Sequence, residues 1–175
     1  FCVGSVIRST KEPVDFTPFA ETNAAGFELE EKLGYKFKDV SYLERALTHL
    51  SYANEQRLKG INVMPNERLE FLGDAVIESI TSDYLFIEFP DRDEGFMTQL
   101  RSKIVSRQSL NHLASELGLD KFVISNAAGN STQKHIYGDA FEAMMGAIYL
   151  DQGYDFVNRL LINTIFARYL SLDDV

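Results

Sequence analysis

The stretch Asn66–Phe86, NERLEFLGDAVIESITSDYLF, decides the fold. Turned at about 100° per residue, it forms a helix with Leu69, Leu72, Val76, Ile77 and Ile80 on one core-facing arc. Glu67, Glu70 and Asp74 fall within about 60° of one another on an arc beside that face. Three carboxylates this close repel unless a positive charge sits among them. Phe71 lies among the acids and away from the core arc.

A second stretch, Gly138–Asp151 (GDAFEAMMGAIYLD), repeats the pattern. Asp139 and Glu142 are three residues apart and share a face, while Phe141, Met144, Met145 and Ile148 take the core side. Ala140, Ala143, Gly146 and Ala147 form a small-residue strip next to these acids, and the first helix has Gly73 and Ala75. A mid-helix glycine costs about 1 kcal/mol relative to alanine, so two of them suggest that backbones approach closely. Close approach would bring Glu70 and Asp74 to Asp139 and Glu142. Ordinary small-residue packing, with the acids in solvent, satisfies the same spacing. Phe71 has two readings as well: an exposed aromatic at an interface, or a side chain covered by the segment before Pro65.

Outward from these two helices, Phe1–Ala25 shows no period and reads as an arm. Gly26–Leu33 is a short helix ended by Gly34. Tyr35–Lys38 is an extended link. Asp39 or Ser41 caps a helix running to Thr48, with Val40, Leu43, Ala46 and Leu47 inward. Ala53–Pro65 is polar and reads as a loop. The long helix stops at Pro90. Another starts near Glu94 with Met97, Leu100, Ile104 and Val105 buried, and a further one spans Ser106–Leu117. Residues 120–132 are irregular. The second acidic helix spans about 133–151, and a last amphipathic helix carries Phe156, Val157, Leu160, Leu161 and Ile165. Period-2 alternation is almost absent. The expected fold is all-α, a single helical bundle, with residues 26–175 as one domain.

The 175 residues suffice for one core. Seventeen basic residues against 26 acidic give a net charge of −9, which argues against simple electrostatic nucleic-acid binding. No apolar run reaches a membrane span, so no membrane partner is expected. The lone Cys2 suits a reducing, cytoplasmic setting.

Four carboxylates without nearby His or Cys fit Mg²⁺, with Mn²⁺ as a substitute, better than zinc. A carboxylate-held pair of such cations suits phosphodiester hydrolysis, and no small-molecule cofactor is called for. His49 reads as a hydrogen-bonded residue at a helix end rather than a ligand, and His112 and His135 as surface residues. Lys103 and Arg107, four apart, are read as sharing a helix face where they meet phosphate or pair as surface charges. Glu78 and Asp83 read as solvated.

At these residues the chain resembles the ribonuclease III family, in particular the endonuclease domain of its bacterial members. NERLEFLGDA (Asn66–Ala75) is similar to the family's hallmark. ALTHLSY (Ala46–Tyr52) and DEGFMTQLRSKIVS (Asp93–Ser106) match its flanking blocks, and GDAFEAMMGAIYLDQG (Gly138–Gly153) its second catalytic block. The four blocks stand in order between Phe27 and Leu170.

The resemblance implies an all-α homodimer that cleaves double-stranded RNA, leaving 5′-phosphate and 3′-hydroxyl ends with short 3′ overhangs, in the processing of ribosomal RNA precursors and messenger RNA. Glu70, Asp74, Asp139 and Glu142 match the metal-site acids, with Asp74 and Glu142 the pair most essential to catalysis. Glu67 and Glu94 match a secondary acidic pair. Phe71 matches an aromatic that inserts into the partner subunit, an isologous contact. Duplex RNA would be read through its shape, 2′-hydroxyls and phosphates. Gly138 stands where the family usually has Ala, and the family's C-terminal double-stranded-RNA-binding domain is not seen in the sequence. Two other readings remain: a non-catalytic relative that binds RNA or a ribosomal particle, whose mark would be a lost carboxylate, and a helical metal phosphohydrolase acting on nucleotides.

Overall fold

Every element named among the described residues is helical, as the missing period-2 pattern predicts. The computed structural model describes residues 22–126 and 133–171. In chain order the helices are α1 (Thr22–Leu33), α2 (Val40–Ala46), α3 (Leu50–Leu58), α4 (Glu67–Glu88), α5 (Glu94–Ile104), α6 (Arg107–Glu116) and α7 (Gln133–Gln152). After α8 (Tyr154–Leu160) the chain winds through a π turn, Leu161–Phe166, into α9 (Ala167–Tyr169). The only strand-like pairing among the described residues is an isolated parallel bridge between Thr48 and Ile124.

The core is built on the arcs read from the sequence. Leu69, Val76, Ile77 and Ile80 of α4 are buried with Phe141, Met144, Met145 and Ile148 of α7. Leu43, Ala46 and Leu47 join them, as do Val157, Leu160, Leu161 and Ile165. Helices α2, α4 and α6 all pack on α7, which makes α7 the centre of the bundle.

Helices α4 and α7 meet backbone to backbone. A Cβ on Gly73 would fall on the carbonyl of Glu142, and one on Gly146 would fall on the carbonyl of Leu69. Because Leu69 meets Gly146 while Gly73 reaches back to Glu142, the helices run antiparallel. The two mid-helix glycines are there for that contact, which larger side chains would hold apart.

Three expectations are corrected. Helix α1 begins at Thr22, ahead of Gly26. Residues 53–58, read as loop, belong to α3, whose amide of Ser51 donates to His49 Nδ1 at 3.1 Å. That helix buries only Ala53 and Gln56, so it has no apolar stripe to read. Val40 is 48% exposed rather than inward, because it opens α2 on the solvent side. Most of the Phe1–Ala25 arm lies outside the described residues, as do residues 127–132 of the irregular segment.

Hydrogen bonds between distant residues fix the start of α4. Asn66 is 2% exposed. Its Nδ2 donates to the carbonyl of Ala46 at 3.0 Å, and its backbone N–H donates to Thr48 at 2.9 Å. From the other side, the Ile124 amide donates to the Leu47 carbonyl at 2.9 Å, and the His49 amide to the Ile124 carbonyl at 3.0 Å. The turn between α2 and α3 is therefore held on both flanks, and the first acids of α4 start from a fixed point.

Candidate metal centre

The acids gather where α4, α6 and α7 meet. Glu67, Glu70, Phe71, Asp74, Val105, Arg107, Leu110, Gly138, Asp139 and Glu142 line an open crevice of about 500 Å³. One carboxylate oxygen each from Glu70, Asp139 and Glu142 lies within 4.8 Å of the other two. Asp74 stands outside that trio but lines the same crevice and is more exposed. Of the two arrangements the sequence allowed, the structure has the convergent one.

The electrostatics follow from this crowding. Burial, reinforced by Asp74, Glu70 and Asp139, pushes the Glu142 carboxyl up to about 8. Burial, with Asp139, Glu67 and Asp74 beside it, pushes Glu70 up to about 7. Asp139 is also raised, chiefly by burial, although the charges of Arg107, His49 and His135 oppose the shift. Arg107 pulls all three acids down and is the basic side chain of the crevice lining, but it does not offset the repulsion.

A hard divalent cation fits this donor set. All the candidate ligands are carboxylates, and their shared repulsion is what such an ion relieves. Three carboxylate oxygens gathered within 4.8 Å of one another would hold such an ion from three sides, with its other positions open to water.

The other sequence candidates fall as follows. Glu67 lines the crevice. Glu94 is not among the lining residues; it lies in the first turn of α5, where Thr98 Oγ1 donates to its Oε1 at 2.8 Å. Phe71 is 82% exposed at the crevice edge, so the segment before Pro65 does not cover it. Lys103 and Arg107 do not share a helix face, since α5 ends at Ile104 and α6 begins at Arg107 with Ser106 as its cap. Arg107 faces the acids, while Lys103 lines a separate groove of about 630 Å³ with Ser106, Gln108 and His112. His49 caps α3, and His112 and His135 are exposed, as expected.

Sequence reasoning missed two roles. Arg107 is the countercharge of the acids, a role visible only once α6 is packed on α7. Asp151, read simply as a helix end, clamps the Tyr35–Asp39 link. Its carboxylate accepts from the amides of Lys38 at 2.8 Å and Asp39 at 3.0 Å, from Gln152 Nε2 at 3.1 Å and from Tyr35 Oη at 3.4 Å.

Fold and site together define an all-helical domain with a crevice of carboxylates whose donor set suits a hard cation. A family model described as Ribonuclease-III-like matches residues 39–169, and the chain belongs to the ribonuclease III family. Ribonuclease 3 of Zunongwangia profunda is 45% identical over 145 residues, covering 83% of this chain and 59% of that protein. Ribonuclease 3 of Listeria monocytogenes serotype 4a is 46% identical over 145 residues, covering 81% and 62%. The chain thus spans about three fifths of the length of these relatives. Among solved structures, the nuclease domain of Ribonuclease III from Campylobacter jejuni aligns with a TM-score of 0.71 at 36% identity, covering 83% of this chain and 96% of that domain. Another structure of that domain is described by flexibility in a region involved in dimer formation. Dicer from Pichia stipitis aligns at a TM-score of 0.57 and 28% identity, covering 79% of this chain and 59% of that one.

Proposed function

We propose that this chain is a Mg²⁺-dependent endoribonuclease that cleaves double-stranded RNA as a homodimer, leaving 5′-phosphate and 3′-hydroxyl ends with short 3′ overhangs. The observation that carries the reading is the convergence of Glu70, Asp139 and Glu142 oxygens within 4.8 Å in a family whose nuclease domain this chain matches.

Glu70, Asp139 and Glu142 would hold the cation, with Asp74 at the open edge and Glu67 behind as a further negative charge. Bound there, Mg²⁺ or Mn²⁺ supplies an acidified water and charge neutralisation for in-line attack on phosphorus. The residues do the remaining work. The α4–α7 contact fixes the carboxylates against each other, so their positions need no reorganisation during reaction. Asp74 and Glu142 carry the chemistry most directly. Arg107 limits the repulsion and faces the phosphate that enters the crevice, while Lys103 meets the backbone farther along. Glu94 lies off the crevice lining, so its part as a secondary acid rests on the family resemblance alone.

Phe71 supports the dimer. A large aromatic, 82% exposed at the edge of an acidic crevice, is best explained by a partner subunit that covers it. Two crevices related by a two-fold axis would face the two strands of a duplex, whose own near two-fold symmetry matches. Precursor ribosomal RNA and structured messenger RNA in the cytoplasm are the substrates this reading implies. Among the described residues no helix is long and apolar enough to cross a membrane.

The test is cleavage of an end-labelled RNA duplex at low salt, with Mg²⁺ and with excess chelator. Metal-dependent cuts on both strands, offset toward the 3′ ends, are expected. Folded protein that binds Mg²⁺ but never cuts would turn the reading to a binding module, and turnover of mononucleotides would turn it to a phosphohydrolase.

A further inference from the structure

One contact of the centre lies outside the acids. The amide of Gly138 donates to Asn111 Oδ1 at 2.8 Å, joining α7 to α6. Gly138 directly precedes Asp139 and itself lines the crevice. On α6, Asn111 stands one turn after Arg107, so the two point to the same side. Leu110, between them, also lines the crevice. Helix α6 thus presents two polar groups to the site: Arg107, whose charge acts on the acids, and Asn111, which grips the backbone beside one of them.

The glycine is part of the same device. A Cβ at position 138 would stand 2.8 Å from Asn111 Oδ1, inside any normal carbon–oxygen contact, so the amide group would have to move. Glycine in a helix interior is otherwise unfavourable. Residues 111 and 138 are therefore matched: the asparagine needs the glycine's space, and the glycine is justified by the asparagine's hydrogen bond.

We propose that Asn111 is a positioning residue for Asp139, acting through the Gly138 amide, and that Gly138 is glycine to admit it. This rests on the reading of the acids as a cation site. The geometry fixes the rotation of α7 at Asp139 relative to α6, and with it the direction in which the carboxylate enters the crevice. Hydrogen-bond partners that orient metal ligands typically change metal affinity about 10- to 100-fold when removed.

The experiment is a double-mutant cycle with Asn111→Ala, Gly138→Ala and the double variant. Mg²⁺ affinity is read by calorimetry without RNA, and thermal stability is read in chelator. Asn111→Ala is expected to weaken Mg²⁺ binding about tenfold or more. Gly138→Ala is expected to weaken Mg²⁺ binding with little change in Tm, because displacement of the asparagine offsets the gain in helix propensity. In the Asn111→Ala background the same change is expected to raise Tm by about 3 °C. If Asn111→Ala fails to fold, Gly138→Ala alone carries the test through its loss of Mg²⁺ affinity at unchanged Tm. Wild-type Mg²⁺ affinity in both single variants overturns the proposal, as does an identical effect of Gly138→Ala in both backgrounds. Absence of Mg²⁺ binding by the wild-type protein would instead count against the cation site itself.

Discussion

The backbone at Gly73 packs against the carbonyl of Glu142 with no room for a methyl group between them. This contact places the acids of α4 beside those of α7. Gly73→Ala must push the helices apart, and so must Gly146→Ala, which meets the Leu69 carbonyl. Overpacking of this kind costs about 1–3 kcal/mol or more, against a helix-propensity gain of about 1 kcal/mol. Urea denaturation should show a net loss for each variant, with Mg²⁺ affinity falling alongside. Unchanged stability would mean that the helices separate without penalty.

Glu142→Gln keeps the shape of the side chain and removes its charge. Its expected effect is on turnover rather than on duplex binding. Loss of a group that supports several kcal/mol of transition-state charge stabilisation slows cleavage on the order of a hundredfold or more. Single-turnover cleavage and a filter-binding isotherm on the same duplex separate the two. An equal loss of binding and cleavage would remove Glu142 from the chemistry.

The raised acids give a pH dependence whose sign can be worked out. Glu70 is held at about 7 and Glu142 at about 8, against 4.5 for an ordinary glutamate. A raised carboxylate contributes its stability in full below the unfolded value. That contribution is lost as pH rises through the folded value. The metal-free protein should therefore melt at progressively lower temperature from about pH 5.5 to about pH 8.5. Mg²⁺ should restore Tm most at the alkaline end, and its binding should release protons below about pH 8. Thermal melts with chelator or Mg²⁺ across that range are the check. A flat or rising Tm in chelator would contradict the raised values of Glu70 and Glu142.

Phe71→Ala tests the proposed dimer. Buried aromatic anchors cost about 2 kcal/mol or more when truncated, and a two-fold interface uses each twice. Sedimentation of the variant should show dissociation at concentrations where the parent chain stays paired, without loss of helical signal. Phe86 and Ile87 are also exposed on α4, at 70% and 64%, so alanine there provides a comparison on the same helix. Equal association by all variants would leave the exposure of Phe71 unexplained.

Asp151→Ala should remove the clamp on the Tyr35–Asp39 link. Burial alone would raise the Asp151 carboxyl, but the hydrogen bonds from Lys38, Asp39, Gln152 and Tyr35 hold it below the usual range. Hydrogen bonds to a charged group contribute about 1.5–3 kcal/mol each, less where the site is open to water. A depressed carboxylate contributes above its unfolded value and loses that contribution as pH falls through the folded value. The variant should therefore be less stable near neutrality and converge with the parent in acid, as denaturation at about pH 7 and about pH 3 would show.

Much of this protein was legible in its sequence because helical period is a local property. Leu69, Val76, Ile77 and Ile80 repeat at the spacing that puts them on one face, and they are buried. The same arithmetic gathers Glu67, Glu70 and Asp74, and then Asp139 and Glu142, onto single arcs. The glycines announced a close approach because only such a contact offsets their cost. The tertiary structure alone decided which arcs would meet. The antiparallel pairing of α4 with α7 turns two acidic edges into one crevice, where burial first and mutual repulsion second raise Glu70 and Glu142. Packing of α6 on α7 made Arg107 a countercharge rather than a neighbour of Lys103. It also gave Asn111 and Gly138 to each other. The clamp at Asp151 and the helix at Leu50–Leu58 were hidden for the same reason. Polar groups that bond to residues far along the chain, and helices with only two buried side chains, leave no period in the sequence.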